Sequence, residues 1–333
     1  MVRLSSSPVL LQDVMLPESA AREDAVSSTG RSLALRPRDV PRMQLARSLE
    51  EAGPRTFVYI DGKGRVRSPA RYRAMQVLSY SALGAVIVGS TALYASLFGP
   101  AGALVGVVLG AAAGRSLLLT RQINHAALLS SHDRLDEAEL ILRRLLRRPL
   151  VARRVRALAH HNLGAVATRR GDHAEALEQL RAAIVLYQAA WRESPHLRSC
   201  QYGEIIALCN LGRADEAAQR LLSMRQEPEG DYLLIKHWTA RLYLDFSRNQ
   251  PEAYSPDELW DRARCALRIT SSSALLALCA WAFERHGEQD MAWHLLREAY
   301  ERLDGVPLLR TMPPLWRWME EHREAAHAAE AHG

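Results

Sequence analysis

The pattern of apolar and polar positions changes character along the chain. Residues 1–52 mix Ser, Pro, Arg and Glu with little periodicity; residues 74–114 carry no charge at all; from Arg121 onward charges return every few positions. As one helix the charge-free block would measure about 60 Å at 1.5 Å per residue. A bilayer's hydrocarbon core is only about 30 Å thick. The length therefore suits two spans. Gly99-Pro100 sits near the middle, where a turn is needed, and proline disfavours helix in the residue before it. The pattern predicts a two-helix transmembrane hairpin over 74–120, with arms of about 75–98 and 101–120. The charge-free part of the second arm is short, so Arg115 must snorkel to the interface while Ser116 to Thr120 complete the last turn.

Gly102, Gly106, Gly110 and Gly114 fall at four-residue spacing, on one helical stripe. A stripe without side chains lets another helix approach closely, as in small-xxx-small packing. Ser81, Ala85 and Gly89 offer a matching stripe on the first arm. Two uses stay open: the stripe packs the two arms together, or it drives homo-oligomerisation as a glycine zipper. A flexible linker is disfavoured, because Leu104, Val105, Val107, Val108 and Leu109 would face water. A hairpin buried inside a soluble fold is the remaining alternative, since helices apolar all round also occur in large cores. Lys63, Arg65, Arg67, Arg71 and Arg73 precede the first arm, Arg115 and Arg121 close or follow the second, and the loop between has no charge. The positive-inside rule then places both termini in the cytoplasm.

Upstream, the first twenty residues hold no apolar run of signal-peptide length, and disorder is expected over 1–52. Residues 53–70 read as strand, turn, strand: Thr56 to Ile60 is β-branched and aromatic, and Asp61-Gly62-Lys63-Gly64 is a turn signal. Two strands alone are marginally stable, so this short β-hairpin is expected to dock on something larger.

Downstream, one motif recurs. "HHNLGAVATRRGDHAEALEQLRAAI" sets Gly171 before Ala176, Leu180 and Ala183. "HDRLDEAELILRRLL" sets Ala138, Leu142 and Leu145 in the same places, with Asp133 where the glycine should be. "NLGRADEAAQRLLSM" gives Gly212, Ala217, Leu221 and Met224, and "RHGEQDMAWHLLREA" gives Gly287, Ala292, Leu296 and Ala299. The alanines lie 38, 41 and 75 positions apart. The last gap approaches two repeats, filled by "YLLIKHWTARLYLDF" and "SPDELWDRARCALRI", where Ser255, Pro256 and Glu258 fit an N-cap, N1 and capping box. The pattern resembles the tetratricopeptide repeat (TPR), a helix–turn–helix unit of about 34 residues, over residues 121–305. Its intervals are longer, and the first-helix aromatics of that family are mostly missing. The expected fold is all-α: a membrane helical hairpin followed by an α-solenoid of TPR-like helix pairs, with 306–333 as a capping helix and tail.

The resemblance implies a concave groove for a protein segment, lined by the first helix of each repeat. Carried over residue by residue, the groove positions are His161, Ala165, Thr168 and Arg169; Tyr202, Ile206, Cys209 and Asn210; and Trp281, Glu284 and Arg285. The lysine and asparagine pairs with which some members clamp a terminal carboxylate are absent.

Composition changes the picture in two places. The net charge is +6, yet of 43 basic residues only Lys63 and Lys236 are lysine. That bias points to a GC-rich bacterial genome more than to a ligand. "RRLLRRPLVARRVR" nonetheless concentrates Arg143, Arg144, Arg147, Arg148, Arg153, Arg154 and Arg156. Near a cytoplasmic leaflet each is worth about 1 kcal/mol of attraction to anionic lipid; an acidic partner or simple solvation are the alternatives. Nucleic acid is disfavoured by the lack of stacking aromatics. Cys200, Cys209, Cys265 and Cys279 form no CxxC pair and read as small core residues in a reducing compartment.

No HExxH, GxSxG or dinucleotide fingerprint occurs. His160-His161 points its two rings about 100° apart on a helix, a poor metal pair. Asp133, Asp172 and Asp215 are placed to cap helices. The expectation is a protein with no enzymatic activity and no cofactor: an adaptor or scaffold anchored in the bacterial inner membrane that recruits a protein partner through its groove. The alternatives are a structural membrane component oligomerising through the glycine stripe, and a soluble regulatory helical-repeat protein.

Overall fold

The computed structural model describes residues 15–16, 56–57, 59–60, 66–67, 69–190, 194–224, 231–250, 259–260, 273–301 and 308–328. They are overwhelmingly helical. Met15–Leu16 pairs antiparallel with Thr56–Phe57, and Tyr59–Ile60 with Val66–Arg67. Apart from Met15–Leu16, the segment 1–52 lies outside the described residues, as do the turn Asp61 to Gly64, the cap at Ser255 to Glu258, and Cys265.

Helix α1 spans Pro69–Ser131 and is interrupted once, at Gly99 (φ 60°, ψ −144°), immediately before Pro100. Glycine reaches that conformation without a Cβ penalty. The chain then turns back on itself. A Cβ on Gly102 would fall 1.9 Å from the Tyr94 carbonyl oxygen, one on Gly106 2.7 Å from Thr91 Cα, and one on Gly110 2.9 Å from Ile87 Cγ2. The contacted residues step back as the glycines step forward, so the two arms run antiparallel here. Gly114 and Gly89 would each meet nothing within 4 Å. The stripe therefore does not meet Ser81, Ala85 and Gly89 as expected. It meets the Tyr94 backbone, the Thr91 backbone and side chain, and the Ile87 side chain instead, because glycine lets the facing helix approach this closely.

The segment Ile87–Ser130 has the length and composition to cross a membrane; its most apolar 18-residue window has a mean hydropathy of 1.8 and is 11% buried. Leu104, Val107 and Val108 are each about 60–70% exposed. From Leu119 onward one face is covered: Leu119, Ile123, Ala126 and Ala127 are buried where α1 packs against α2 (Leu135–Leu146). No break separates the apolar arm from this packed end. Nothing between Arg115 and Ser131 is Gly or Pro, so the helix continues through the boundary expected at residue 120.

Helices α3 (Arg153–Arg170), α4 (His173–Ala190), α5 (Pro195–Asn210), α6 (Ala214–Ser223), α7 (Asp231–Arg248), α8 (Ser273–Arg285) and α9 (Gln289–Glu301) follow. The chain ends in the short helices α10 (Leu308–Thr311), α11 (Pro313–Glu321) and α12 (Arg323–Ala328).

One turn is repeated. Asp133, Gly171, Gly212, Asn249 and Gly287 all have positive φ, between 50° and 85°. At each, the residue's own N–H donates to the carbonyl three back and the next N–H donates to the carbonyl five behind itself, as in Gly171 to Thr168 and Asp172 to Ala167, both 3.0 Å. This is the Schellman C-cap. The five turns lie 38, 41, 37 and 38 positions apart. Asn249 supplies the turn of the repeat that the sequence pattern had left incomplete. Five positions after four of the turns, Ala138, Ala176, Ala217 and Ala292 are completely buried. Of the three aspartates expected as caps, only Asp172 caps: its Oδ1 accepts the Glu175 N–H at 3.1 Å. Asp133 is the left-handed residue itself, and Asp215 pairs with Arg248 at 2.6 Å.

Contacts divide the chain into two compact units. One holds Val58–Val166 and Gln179–Leu197; the other holds Ala167–Glu178 and Arg198–Gly333. The first is cored by Ile123, Leu142, Leu145 and Tyr187. In the second, α8 is the central rod: every residue from Leu275 to Phe283 is buried. A helix apolar all round needs neighbours on all sides, and α7, α9 and α11 supply them.

Candidate partner-binding face

The turns described above gather the C-terminal ends of α5, α7 and α8 with the turn between α3 and α4. In the second unit these ends are covered by the chain's own C-terminal segment. A Cβ on Gly171 would lie 3.3 Å from the Arg310 carbonyl oxygen. Asn210 Nδ2 donates to the Thr311 carbonyl at 2.8 Å. Trp318 meets Phe246 edge to face at 6.4 Å between ring centroids, and His322 Nε2 lies 3.4 Å from Glu284 Oε1. Residues 310, 311, 318 and 322 thus visit four successive repeats in order. Leu315 and Met319 are fully buried, so apolar burial holds the segment as well as these polar contacts. It was expected as a cap on the last repeat; its contacts reach back to the turn at Gly171.

Asn210 is the polar centre of this face. Besides the Thr311 carbonyl, it accepts the Tyr243 hydroxyl on Oδ1 and approaches His173 Nδ1 at 3.3 Å. Burial pulls the His173 pKa down, against the Asp172 charge and the Arg310 backbone, which pull it up.

The remaining groove positions divide by exposure. Tyr202 and Trp281 are buried, at 0% and 2% exposed, and His161 is buried as well. Trp281 packs edge to face on Phe246 at 5.4 Å, and Tyr202 on His237 at 5.6 Å. His161 lies among Tyr187 and His196, at 6.5 and 6.2 Å. Aromatic rings drawn from the resemblance have gone into inter-helix packing. Ala165, Thr168 and Arg169 are half-buried, as are Ile206 and Glu284, and Cys209 is buried. Arg285 is exposed and donates to Asn249 Oδ1 at 2.6 Å. His160 turns away from His161, with Nδ1 on Gln179 Oε1 at 2.7 Å. Among the described residues, no group of three His, Cys, Asp or Glu side chains is placed to hold a metal.

The seven arginines of the basic stretch are all exposed. Arg143 is tied to Glu139. Arg143 and Arg144 lie in the last turn of α2, where the helix dipole favours a cation. Arg153, Arg154 and Arg156 open α3, whose first turn has no acidic residue. There the dipole opposes them, by about 0.3–1 kcal/mol each. Arg115, expected to snorkel, donates through Nη2 to the Pro149 carbonyl at 2.6 Å, joining the arm to the loop that follows α2.

Cys200, Cys209 and Cys279 are free and buried. Burial pushes the Cys209 and Cys279 thiols up to about 12 and Cys200 upward as well, so they are protonated and unreactive at neutral pH.

Residues outside the transferred set proved central: His173, Tyr243 and Phe246. Their signal was position near a Schellman turn: His173 lies just beyond Gly171, and Tyr243 and Phe246 lie in the last two turns of α7, which ends before Asn249. No family model, curated protein or solved structure matches this chain.

Proposed function

We propose that this protein is a membrane-anchored adaptor of the bacterial inner membrane. Two antiparallel arms of α1 span the bilayer, both termini lie in the cytoplasm, and TPR-like repeats form a short solenoid that receives a protein partner. The observation that carries the reading is the exposed apolar surface of α1. Val88, Leu93, Leu97 and Phe98 face outward on the first arm and Leu104 on the second, and the second arm continues beyond Gly99 without a further break to its packing against α2. A contiguous apolar surface of this kind needs lipid or a protein to cover it. The five Schellman turns at near-constant interval support the repeat reading. The partner's segment would lie along the ends of the first helices, beside the chain's own C-terminal helices, reached through Thr168, Arg169, Glu284 and Arg285. Anchoring confines such a complex to two dimensions and raises effective concentration without new contacts. No catalysis is part of this proposal.

A photo-crosslinking residue at Arg285, compared with one at the exposed Ser223 on α6, tests it in cells. An adduct with a second protein at Arg285 and none at Ser223 is expected. Adducts only between copies of this chain, lost on Gly114→Leu, would favour the oligomerising alternative. Gly114 is the stripe position with open space around it.

A further inference from the structure

The first unit contains a cleft of about 490 Å³ between the last turns of α1 and the second half of α2. Leu118, Arg121 and His125 line it from α1, at positions one and two turns apart; Ile141 and Arg144 line it from α2, and Arg148 from the turn that follows α2. Two helix faces therefore meet with guanidinium groups at the rim and aliphatic side chains between them. Among the described residues, Arg121, Arg144 and Arg148 have no carboxylate partner. Two of the carboxylates of α2 are paired with other arginines, and Glu137 also lies within reach of the His125 charge. Glu137 is held through both oxygens by Arg134 at 2.6 Å, and Glu139 by Arg143. Three uncompensated cations over an apolar floor form a receptor for a phosphate that carries a hydrocarbon tail.

Position along the helix agrees. The charge-free part of the second arm ends at Gly114, and Arg121 follows about 10 Å further along the axis. The headgroup layer adds about 5–7 Å beyond the hydrocarbon core on each side. With Ser116 to Thr120 as the last membrane turn, Arg121 emerges at headgroup level. Leu118 is 62% exposed on the same face, directly below, where an acyl chain would lie. The bond from Arg115 to the Pro149 carbonyl draws the end of α2, and with it Arg148, down toward the same level.

We infer that this cleft binds the headgroup of an anionic phospholipid of the cytoplasmic leaflet, with Arg121, Arg144 and Arg148 on the phosphate and Leu118 and Ile141 against the start of the acyl chain. The inference rests on the proposed membrane anchoring. It sharpens a diffuse basic stretch into a site, recruits Arg121 from the far side of the sequence gap, and leaves Arg153, Arg154 and Arg156 outside it.

The test uses the full chain in non-ionic detergent micelles, titrated with phosphatidylglycerol and read by native mass spectrometry. One phosphatidylglycerol per chain should be retained in preference to phosphatidylcholine of the same acyl length. Arg121→Gln, Arg144→Gln and Arg148→Gln together should weaken retention by about tenfold or more, since each arginine near an anionic surface contributes about 1 kcal/mol. The triple change of Arg153, Arg154 and Arg156 to Gln removes the same charge and should leave retention in place. A single Arg148→Glu on an exposed side chain should weaken it as well, and helicity by circular dichroism verifies each variant. Equal loss in both triple variants, equal binding of phosphatidylcholine, or displacement by inorganic phosphate at equal concentration would overturn the inference. A chain that stays monodisperse without detergent would overturn the membrane reading instead, and its lipid titration still reports on the cleft.

Discussion

Asn210 donates to the carbonyl of Thr311 at 2.8 Å across 101 positions of sequence. The same amide accepts the Tyr243 hydroxyl, so one side chain joins three helices. Replacing it with alanine removes both interactions inside a packed region, and a buried polar group deprived of its partner costs about 1–3 kcal/mol. Asn210→Ala should lower the unfolding free energy of the full chain in detergent by that amount, read as a lower urea midpoint at unchanged m-value. Ser223→Ala, at an exposed helix end, should leave the midpoint within error. An equal shift in the two variants would mean that the junction contributes nothing.

The five turns separate two causes of strain. Gly171 and Gly212 both have positive φ, where a Cβ costs about 1–2 kcal/mol. At Gly171 a Cβ also meets the Arg310 carbonyl oxygen at 3.3 Å, while at Gly212 it meets nothing within 4 Å. Gly171→Ala should therefore destabilise more than Gly212→Ala. Asp133→Gly, at φ 60°, should stabilise. Thermal melts of the three variants check the order.

Inside α1 the four stripe glycines are not equivalent. Gly106→Ala would place its Cβ 2.7 Å from Thr91 Cα, and overpacking of this kind costs about 1–3 kcal/mol. Gly114→Ala meets open space and should be neutral or gain up to about 1 kcal/mol from helix propensity. Thermal denaturation in detergent, followed by helicity, distinguishes the pair. Identical behaviour would contradict the antiparallel contact of the arms.

Alkali should unfold the second unit early. Burial holds the Cys209 and Cys279 thiols and the Tyr202 and Tyr300 phenols at about 12, above ordinary values of 9.0 and 10.0, and raises Tyr243 too. Above pH 9.0 the unfolded chain releases protons that the folded chain keeps, so stability falls as pH rises from there toward 12. The urea midpoint should drop over that window, and phenolate absorbance should rise together with loss of helicity. Phenols that titrate freely before any helix is lost would contradict the burial.

Much of the fold was legible because it rests on short-range rules. Glycine at fixed distance before a buried alanine marked three of the five turns, and Asp133 was recognised in the same slot. Asn249 was missed, although asparagine also tolerates the left-handed conformation. The continuity of α1 past residue 120, where a boundary was expected, was missed, although no Gly or Pro occurs between Arg115 and Ser131. The face was less legible. Tyr202 and Trp281 sit at groove positions of the resembled family, yet local sequence does not reveal whether an aromatic ring lines a groove or fills a core. The return of Arg310 and Thr311 to Gly171 and Asn210 depends on contacts a hundred residues apart, which periodicity does not encode. The cleft at Arg121 escaped for the same reason: its two walls are separated by a turn, and only the folded pair brings Arg121 beside Arg144.

The anchoring of the whole assembly is tested most directly by alkaline-carbonate extraction of membranes from cells expressing the full chain. A protein whose α1 arms span the bilayer remains in the pellet. Release into the supernatant would contradict the anchor, and the exposed apolar face of α1 would then need a protein to cover it.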